Sequence, residues 1–172
     1  MSEWIEGRNA VLEAFRSGRT VDRVYLLEGC QDGPLHTIAR EARKKDTIVT
    51  YVPRERLDQL SKTKAHQGVL AQVAAYDYAS VEDILERAKE KGEPPFLILL
   101  DNVEDPHNLG AVIRTANLAG AHGVIIPKRR SVGLTATVAK TSAGAINYTP
   151  VAKVTNLVRT CLLYTSDAAD EL

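Results

Sequence analysis

The sequence is poor in the residues that mark disulfide-rich, metal-binding or membrane proteins. Its two cysteines, Cys30 and Cys161, are too few for a disulfide framework and have no metal-ligand spacing. The longest apolar run, residues 96–100, ends at Asp101 and falls far short of the ~18 residues of a membrane span. The first six residues carry acids where a secretion signal needs bases. We therefore expect a reduced, cytoplasmic protein with no membrane segment.

The sequence also lacks the common signatures of cofactor and metal sites. It has no Gly-x-Gly-x-x-Gly stretch and no phosphate-binding lysine loop, so nothing favours a dinucleotide or nucleoside-triphosphate enzyme. The histidines His36, His107 and His122 are too scattered along the chain to hold a metal ion. We expect no metal in this protein.

What is present is the composition of a globular protein with unevenly placed charge. Of the 172 residues, 44% are hydrophobic and 26% are charged, which suits one domain or two small ones. The 22 bases and 22 acids cancel, yet residues 101–160 hold 7 bases and 3 acids. The last twelve residues hold 3 acids and no base, and without them the net charge is 22 − 19, or +3. The neutral total therefore does not exclude a nucleic-acid partner.

Helix and strand patterns divide the chain into two α/β units. Residues 1–76 predict an α-β-α-β-α-β unit whose first helix begins with Asn9 as its cap. Residues 77–95 predict a linker helix capped by Ser80 and then a break at Gly-Glu-Pro-Pro. Residues 96–160 predict a parallel sheet covered on both faces, because continuous apolar runs alternate with helical patterns. The predicted strands are 21–27, 47–52, 69–74, 96–100, 123–126 and 149–154, and helices are predicted at 81–91, 109–119 and 135–143.

The segment from residue 100 to residue 116 carries the most chemistry. A buried strand ends at Asp101, a polar loop follows, and Asn108 stands where a helix N-cap is expected. Ligands of open α/β sheets bind beyond the carboxyl ends of strands, so this loop is the expected site. Gly110 permits the close approach of another backbone or of a ligand, and Arg114 lies one turn further along the helix.

The basic residues near this loop have two interpretations each. Arg114 is a functional cation or the structural partner of Asp101 or Asp105, since no acid in its own helix is placed to pair with it. Three successive bases, Lys128, Arg129 and Arg130, follow the strand 123–126 at the same end of the sheet. They bind RNA phosphates or form an ordinary solvated loop.

Residues 105–114, Asp-Pro-His-Asn-Leu-Gly-Ala-Val-Ile-Arg, resemble motif 1 of the SpoU family of RNA ribose 2′-O-methyltransferases. In that motif Asp-Pro-x-Asn-x-Gly and a following arginine recur. Further segments look like the RlmB-type subgroup, which methylates a guanosine in 23S rRNA. These segments are 7–14, 66–69, 128–131, 140–145 and 154–157.

The resemblance implies a fold, a methyl donor and partners. The fold it implies is a small N-terminal α/β RNA-binding domain, similar to the ribosomal L30e type. The first half of an α/β-knot (SPOUT) methyltransferase domain would follow it. Members of the family are homodimers that use S-adenosylmethionine, and 23S rRNA is the substrate that the subgroup implies.

The resemblance also implies roles for two residues of the motif. Arg114 matches the arginine that is thought to help deprotonate the target 2′-hydroxyl, and Asn108 matches the asparagine that reaches into the site. Because the pKa of arginine is too high for a ready base, electrostatic stabilisation of the alkoxide is the safer role to assign.

Four N-terminal residues are candidates for RNA contacts, together with the bases at 128–130. They are Arg8, Asn9, His66 and Gln67. Each also has a structural explanation, because Asn9 is a candidate cap and residues 66 and 67 lie at a turn before a strand.

The family's two later motifs are absent, so no residue is assigned to the donor pocket. They are a Gly-x-Glu-Gly-x-Gly loop and an Ile-Pro-Met segment that leads to Ser-Leu-Asn. Residues 161–172 resemble a translated sequencing adapter, and we expect them to be a non-native tail. A genuine acidic C-terminus is the alternative.

The functional expectation follows from these parts. The parent protein is expected to methylate a guanosine ribose in 23S rRNA, and this chain is expected to be an inactive fragment of it. The fragment would hold an RNA-binding domain (1–76), a linker (77–95) and an incomplete methyltransferase domain (96–160). The alternatives are a non-enzymatic RNA-binding fragment and a related tRNA 2′-O-methyltransferase.

Overall fold

The computed structural model describes residues 3–30 and 32–166 and divides them into two compact units. The first unit runs to Asp77 and includes Gly133–Ala136, and the second holds the other described residues. The last six residues of the expected tail, 167–172, lie outside the described part. In the described part no helix is long and apolar enough to cross a membrane, and no three His, Cys, Asp or Glu residues are grouped to hold a metal ion.

The first unit is built on a four-stranded mixed sheet. Its strand order is β1-β4-β2-β3, in which β2 and β3 are parallel and the other two pairs are antiparallel. The sequence pattern predicted β2, β3 and β4 and missed β1, whose Glu-Trp-Ile-Glu sequence is too short to show a strand period. The strand forms because it pairs along its length with β4. The strands are β1 (Glu3–Glu6), β2 (Val21–Leu27), β3 (Ile48–Val52) and β4 (Val69–Val73).

Three helices cover this sheet, and the predicted cap of the first is wrong. The helices are α1 (Arg8–Arg16), α2 (Gly33–Lys44) and α3 (Arg54–Leu60). Gly7 is the N-cap of α1, and Asn9 lies inside the helix. The chain turns from β1 into α1 at Gly7 with a φ of +91°, a conformation that favours glycine over asparagine.

The core of the first unit lies between the sheet and helices α1 and α2. Apolar side chains that recur every three or four residues along each helix pack against alternate residues of the strands. Burying one such side chain stabilises the unit by about 1.5–3 kcal/mol. The core residues are Val11, Ala14, Phe15, Val21, Val24, Leu26, Leu35, Ile38, Ala39, Ala42, Val69, Ala71 and Val73.

The second unit contains a three-stranded parallel sheet, so the predicted α/β class and parallel pairing are confirmed. The order is β5-β6-β7, and the central strand is buried throughout. Its strands are β5 (Leu97–Leu99), β6 (Gly123–Pro127) and β7 (Val151–Val154), and its helices are α4 (Val81–Glu90), α5 (Pro106–Leu118), α6 (Ala136–Thr141) and α7 (Leu157–Ser166).

Local hydrogen bonds fix the entry into this sheet. The Ser80 hydroxyl accepts from Asp83 N and the Asp83 carboxylate accepts from Ser80 N, both at 3.0 Å, so the predicted cap of α4 is confirmed. These bonds hold the pKa of Asp83 below its ordinary value. Before β5, the buried ring of His122 accepts from Phe96 N through Nδ1 at 3.1 Å, and its Nε2 lies 3.0 Å from Glu93.

Candidate functional site

The loop after β5 is organised by Asp105. Its carboxylate oxygen accepts hydrogen bonds from His107 N at 2.6 Å and from Asn108 N at 3.2 Å, and Pro106 is the first residue of α5. Asp105 is therefore the N-cap, and the predicted capping role of Asn108 is wrong. The dipeptide Asp105-Pro106 carries the signal for the correct boundary, since proline is favoured at the first helical position.

Gly110 is required for close packing between α5 and α6. A β-carbon at this position would overlap the Thr141 hydroxyl and lie 2.7 Å from Thr141 Cβ and 3.0 Å from Ser142 N. The same hydroxyl donates to the Thr137 carbonyl within α6 at 2.9 Å, and the Pro106 carbonyl in the first turn of α5 lies 3.3 Å from it. The sequence allowed either another backbone segment or a ligand to approach Gly110 closely. The structure shows another segment of the chain, residues 141 and 142, in that place.

Asn108 and Arg114 are both exposed on α5 but do not share one face. At about 100° per residue, six positions separate them by about 120° around the helix axis. Among the described residues the side chain of Arg114 forms no ion pair or hydrogen bond, so the bridges to Asp101 or Asp105 that the sequence left open are not formed. The guanidinium is free to meet a ligand.

The three bases that follow β6 lie beside this loop. Because β5 and β6 are parallel, their carboxyl ends meet at one edge of the sheet. The backbone joins the two loops there, since Val132 N donates to the Val103 carbonyl at 2.8 Å. Arg129 and Arg130 are exposed and Lys128 is half-buried. The predicted placement of these bases at the same end as the motif loop is therefore confirmed.

A second lysine that the sequence analysis did not single out contributes to this edge. Burial and then the charge of Lys153 hold the pKa of Lys128 below its ordinary value. In β7, Lys153 Nζ lies 4.9 Å from the centre of the Tyr78 ring and 3.5 Å from its hydroxyl. The sequence signal that could have identified Lys153 is that it is the single lysine in an otherwise apolar strand.

The first unit holds another cluster, in which Arg8 joins three segments. Its backbone N–H donates to Gln67 Oε1 and its Nε donates to the Gln67 carbonyl, both at 3.1 Å. Its Nη2 lies 2.6 Å from the carboxylate of Asp32, just before α2. The structure thus brings Arg8, Asn9 and Gln67 together, and both Asn9 and Gln67 are exposed.

His66 differs from its neighbours because its ring is buried, with 4% of the residue exposed. Its Nδ1 accepts from Gly68 N at 3.0 Å, so the ring proton is on Nε2, which lies 3.1 Å from Asp58. Both nitrogens are engaged, and His66 holds the turn on which Gln67 stands. It offers no surface of its own to a ligand.

Glu6 is the residue of this cluster that sequence reasoning missed. Its carboxylate accepts from the Ser61 hydroxyl at 2.7 Å and from Lys62 N at 2.6 Å, and also from the N–H and hydroxyl of Thr63. Burial raises its pKa, but these hydrogen bonds outweigh burial and lower the pKa to about 2. No sequence signal links an acid at position 6 to a loop 55 residues later.

Comparison with known proteins assigns both units to one family. Residues 4–79 match the family described as RNA 2′-O ribose methyltransferase substrate binding, and residues 95–168 match the SpoU rRNA methylase family. The chain belongs to the SpoU family. The second match extends past Cys161, where the expected tail begins, and the origin of that tail stays a prediction.

Bacterial relatives of this SpoU-family chain are longer than the chain itself. It is 51% identical over 158 residues to YacO of Bacillus subtilis (strain 168), which is named for the TrmH family of tRNA/rRNA methyltransferases. That match covers 92% of this chain and 63% of the relative. A Staphylococcus haemolyticus protein with the same family name is 46% identical, with 91% of this chain and 62% of that protein covered. The chain thus spans less than two thirds of the curated relatives it matches.

Solved structures of SpoU-type proteins resemble the chain distantly. One is the methyltransferase AviRb from Streptomyces viridochromogenes in complex with AdoMet, at 20% identity and a TM-score of 0.46. The match covers 97% of this chain and 59% of AviRb. Another is an AdoMet-bound rRNA methyltransferase from Sinorhizobium meliloti, at 23% identity and a TM-score of 0.40, with 89% and 54% covered.

Proposed function

We propose that this chain is part of an RNA ribose 2′-O-methyltransferase that uses S-adenosylmethionine. The substrate we propose is a guanosine of 23S rRNA, and the whole protein would act as a homodimer in the cytoplasm. The observation that carries the proposal is the Val132–Val103 hydrogen bond, which joins the motif loop to the basic loop at the carboxyl edge of the sheet. Family membership of both units supports it.

In this proposal Arg114 acts on the ribose. A 2′-hydroxyl is a poor nucleophile, and its deprotonation is easier beside a fixed cation that stabilises the alkoxide. Arg114 is exposed and is not engaged by any described residue, so its charge is available. Asp105 caps the helix that carries Arg114 and so fixes where that helix begins, with Asn108 in its first turn. Lys128, Arg129 and Arg130 would hold the RNA phosphates nearby.

The described residues do not by themselves enclose a methyl donor. The side chains of Asp101, Asn102 and Glu104 in the motif loop are exposed, as are Arg129 and Arg130 in the basic loop. Small-molecule sites usually bury most of the ligand, and these open loops do not. When bound, S-adenosylmethionine supplies the methyl group. We propose that the rest of its pocket belongs to residues outside this chain, so that the chain alone is inactive.

The proposal is tested on the full-length protein with the Arg114→Ala variant. We expect methyl transfer to 23S rRNA to fall by about 10²–10³, as is usual when one group that stabilises an oxyanion is removed. Lys89→Ala is the control, since Lys89 is an exposed cation on α4, with 79% of its side chain accessible. Transfer by Arg114→Ala at the rate of the control would refute the role of Arg114.

Two alternatives have separate tests. Stoichiometric binding of S-adenosylmethionine by residues 1–172, measured by calorimetry, would refute both the view that they are a non-enzymatic RNA-binding fragment and the proposal that the donor pocket is completed outside them. The relatives' family name includes tRNA as well as rRNA. Mapping 2′-O-methyl groups in rRNA and tRNA from a strain without the gene decides between the substrates, because only the true target loses its methyl group.

A further inference from the structure

The loop from Ser61 to Ala65 is held in one conformation by a carboxylate beneath it. Glu6, the last residue of β1, accepts hydrogen bonds from Ser61, Lys62 and Thr63 of this loop. Hydrogen bonds to a charged group are roughly twice as strong as those between neutral groups. The loop is therefore anchored far more firmly than an ordinary surface connection.

The anchored conformation includes a backbone that most residues avoid. Lys64 has a φ of +59°, in the left-handed region that side chains other than glycine rarely adopt. Two further hydrogen bonds maintain it, from Lys64 N to the Ser61 hydroxyl at 2.7 Å and from Ala65 N to the Thr63 hydroxyl at 3.2 Å. Strained backbone persists where the surroundings over-determine it, and such places concentrate at functional sites.

In this conformation the loop presents the positive charges of two lysines to solvent. Lys62 and Lys64 are exposed, and among the described residues neither ammonium group has an ion-pair partner. Three acids near this loop make contacts within the unit, and of these only Asp32 is paired with a guanidinium. Glu6 binds the loop, Asp58 lies beside His66 and Asp32 pairs with Arg8.

We propose that Lys62 and Lys64 bind the phosphate backbone of RNA and that Glu6 is the positioning residue that presents them. This inference rests on the proposed function, in which the first unit binds the RNA substrate. The exposed amides of Asn9 and Gln67 lie beside the same cluster and suit sugar and phosphate contacts. Among the described residues no large exposed hydrophobic side chain lies between 61 and 67, so the surface lacks the apolar centre of a protein interface.

The test measures binding of residues 1–172 to purified 23S rRNA as a function of salt. The double variant Lys62→Gln/Lys64→Gln removes both charges and leaves the backbone bonds to Glu6 intact. We expect the slope of log affinity against log salt to decrease by about 1.5 and the affinity at about 0.1 M salt to fall roughly tenfold or more. Arg43→Gln/Lys44→Gln, on the exposed last turn of α2, is the charge-matched control and is expected to keep the slope of the parent chain.

Glu6→Gln tests the positioning role separately. We expect RNA affinity to fall although both lysines remain, and amide hydrogen exchange to accelerate at Lys62 and Thr63, whose N–H groups the carboxylate holds. Unchanged exchange at these two amides would overturn the positioning role.

The outcomes separate this inference from the proposed function. If residues 1–172 without substitutions do not bind 23S rRNA at all, the proposed RNA-binding function of the first unit fails, and this inference fails with it. If the parent chain binds and the lysine variant matches the control variant, only this inference is overturned. Binding of poly-L-glutamate that depends on the lysines, with RNA binding unaffected, would assign the loop to an acidic protein partner and would also overturn it.

Discussion

Replacing Gly110 with alanine should destabilise the second unit, because the space beside α5 is already filled. The added β-carbon would overlap the Thr141 hydroxyl and lie 2.7 Å from Thr141 Cβ and 3.0 Å from Ser142 N. Real β-carbons do not approach that closely, so α5 and the end of α6 must separate. Ser142 is 0% exposed, so it cannot move aside without displacing the atoms packed around it.

The expected magnitude follows from three opposing effects. Alanine is favoured over glycine inside a helix by about 1 kcal/mol. Overpacking a close contact costs about 1–3 kcal/mol, and the upper part of that range applies because backbone as well as side chain is in the way. Rotating the Thr141 hydroxyl out of the overlap also weakens its bond to the Thr137 carbonyl, at about 1 kcal/mol. The net loss is about 2 kcal/mol, or roughly 8–15 °C in Tm for a unit of this size.

Thermal unfolding followed by two probes locates the effect. Far-ultraviolet circular dichroism reports both units, whereas fluorescence of Trp4, the single tryptophan, reports β1 in the first unit. Gly33→Ala is the matched control, because Gly33 has ordinary backbone angles and nothing within 4 Å of an added β-carbon. Thr141→Ala in the Gly110→Ala background should restore part of the stability, since it removes the overlapping hydroxyl. If Gly110→Ala is as stable as the control, Gly110 does not serve packing and the ligand interpretation returns.

Two further predictions concern hydrogen bonds to carboxylates and hydroxyls. Ser80→Ala removes one half of the capping box with Asp83 and should cost the second unit about 1 kcal/mol, measured by urea unfolding. The pKa of Glu6 is about 2 in the folded chain against 4.5 ordinarily, so its contribution to stability is complete above pH 4.5 and is lost as the pH falls towards 2. Glu6→Gln should therefore be about 1–2 kcal/mol less stable at pH 7, after allowance for solvent screening, and the difference should shrink by pH 2.5. A difference independent of pH would contradict the lowered pKa.

The sequence predicted most helices and strands because apolar residues recur at regular spacing along the helices and form continuous runs in the buried strands. The strand at 123–126 is a continuous run of apolar residues and is the buried centre of the parallel sheet. The short strand β1 was missed because four residues show no period, and it exists only through its pairing with β4. The two asparagine caps, at 9 and 108, were wrong for a common reason. Several residues near each boundary are good caps, and the one used is decided by the positive φ at Gly7 and by the proline that follows Asp105.

The candidate sites were predictable in part. Asn108 and Arg114 share one helix, so local spacing placed them in the same element. The contacts of Arg8 with Gln67 join positions 59 residues apart, and those of Lys153 with Tyr78 join positions 75 apart. Such pairs depend on strand order, which no local pattern records. His66 is an error of the other kind, a residue predicted to contact RNA that the structure places elsewhere. Its ring is buried and holds a turn.

The zero net charge of the chain is a poor guide to its partners, because the structure treats acids and bases differently. In the first unit, the charge of Asp32 is offset by Arg8, whereas Glu6 keeps its negative charge and uses it to hold the backbone of the 61–65 loop. The lysines of the 61–65 loop have no ion-pair partner among the described residues. In the second unit the loop of three bases stands at one edge of the sheet. A chain with equal numbers of acids and bases therefore presents local positive surfaces, and its RNA affinity should follow salt concentration in proportion to those few exposed bases and not to its total charge.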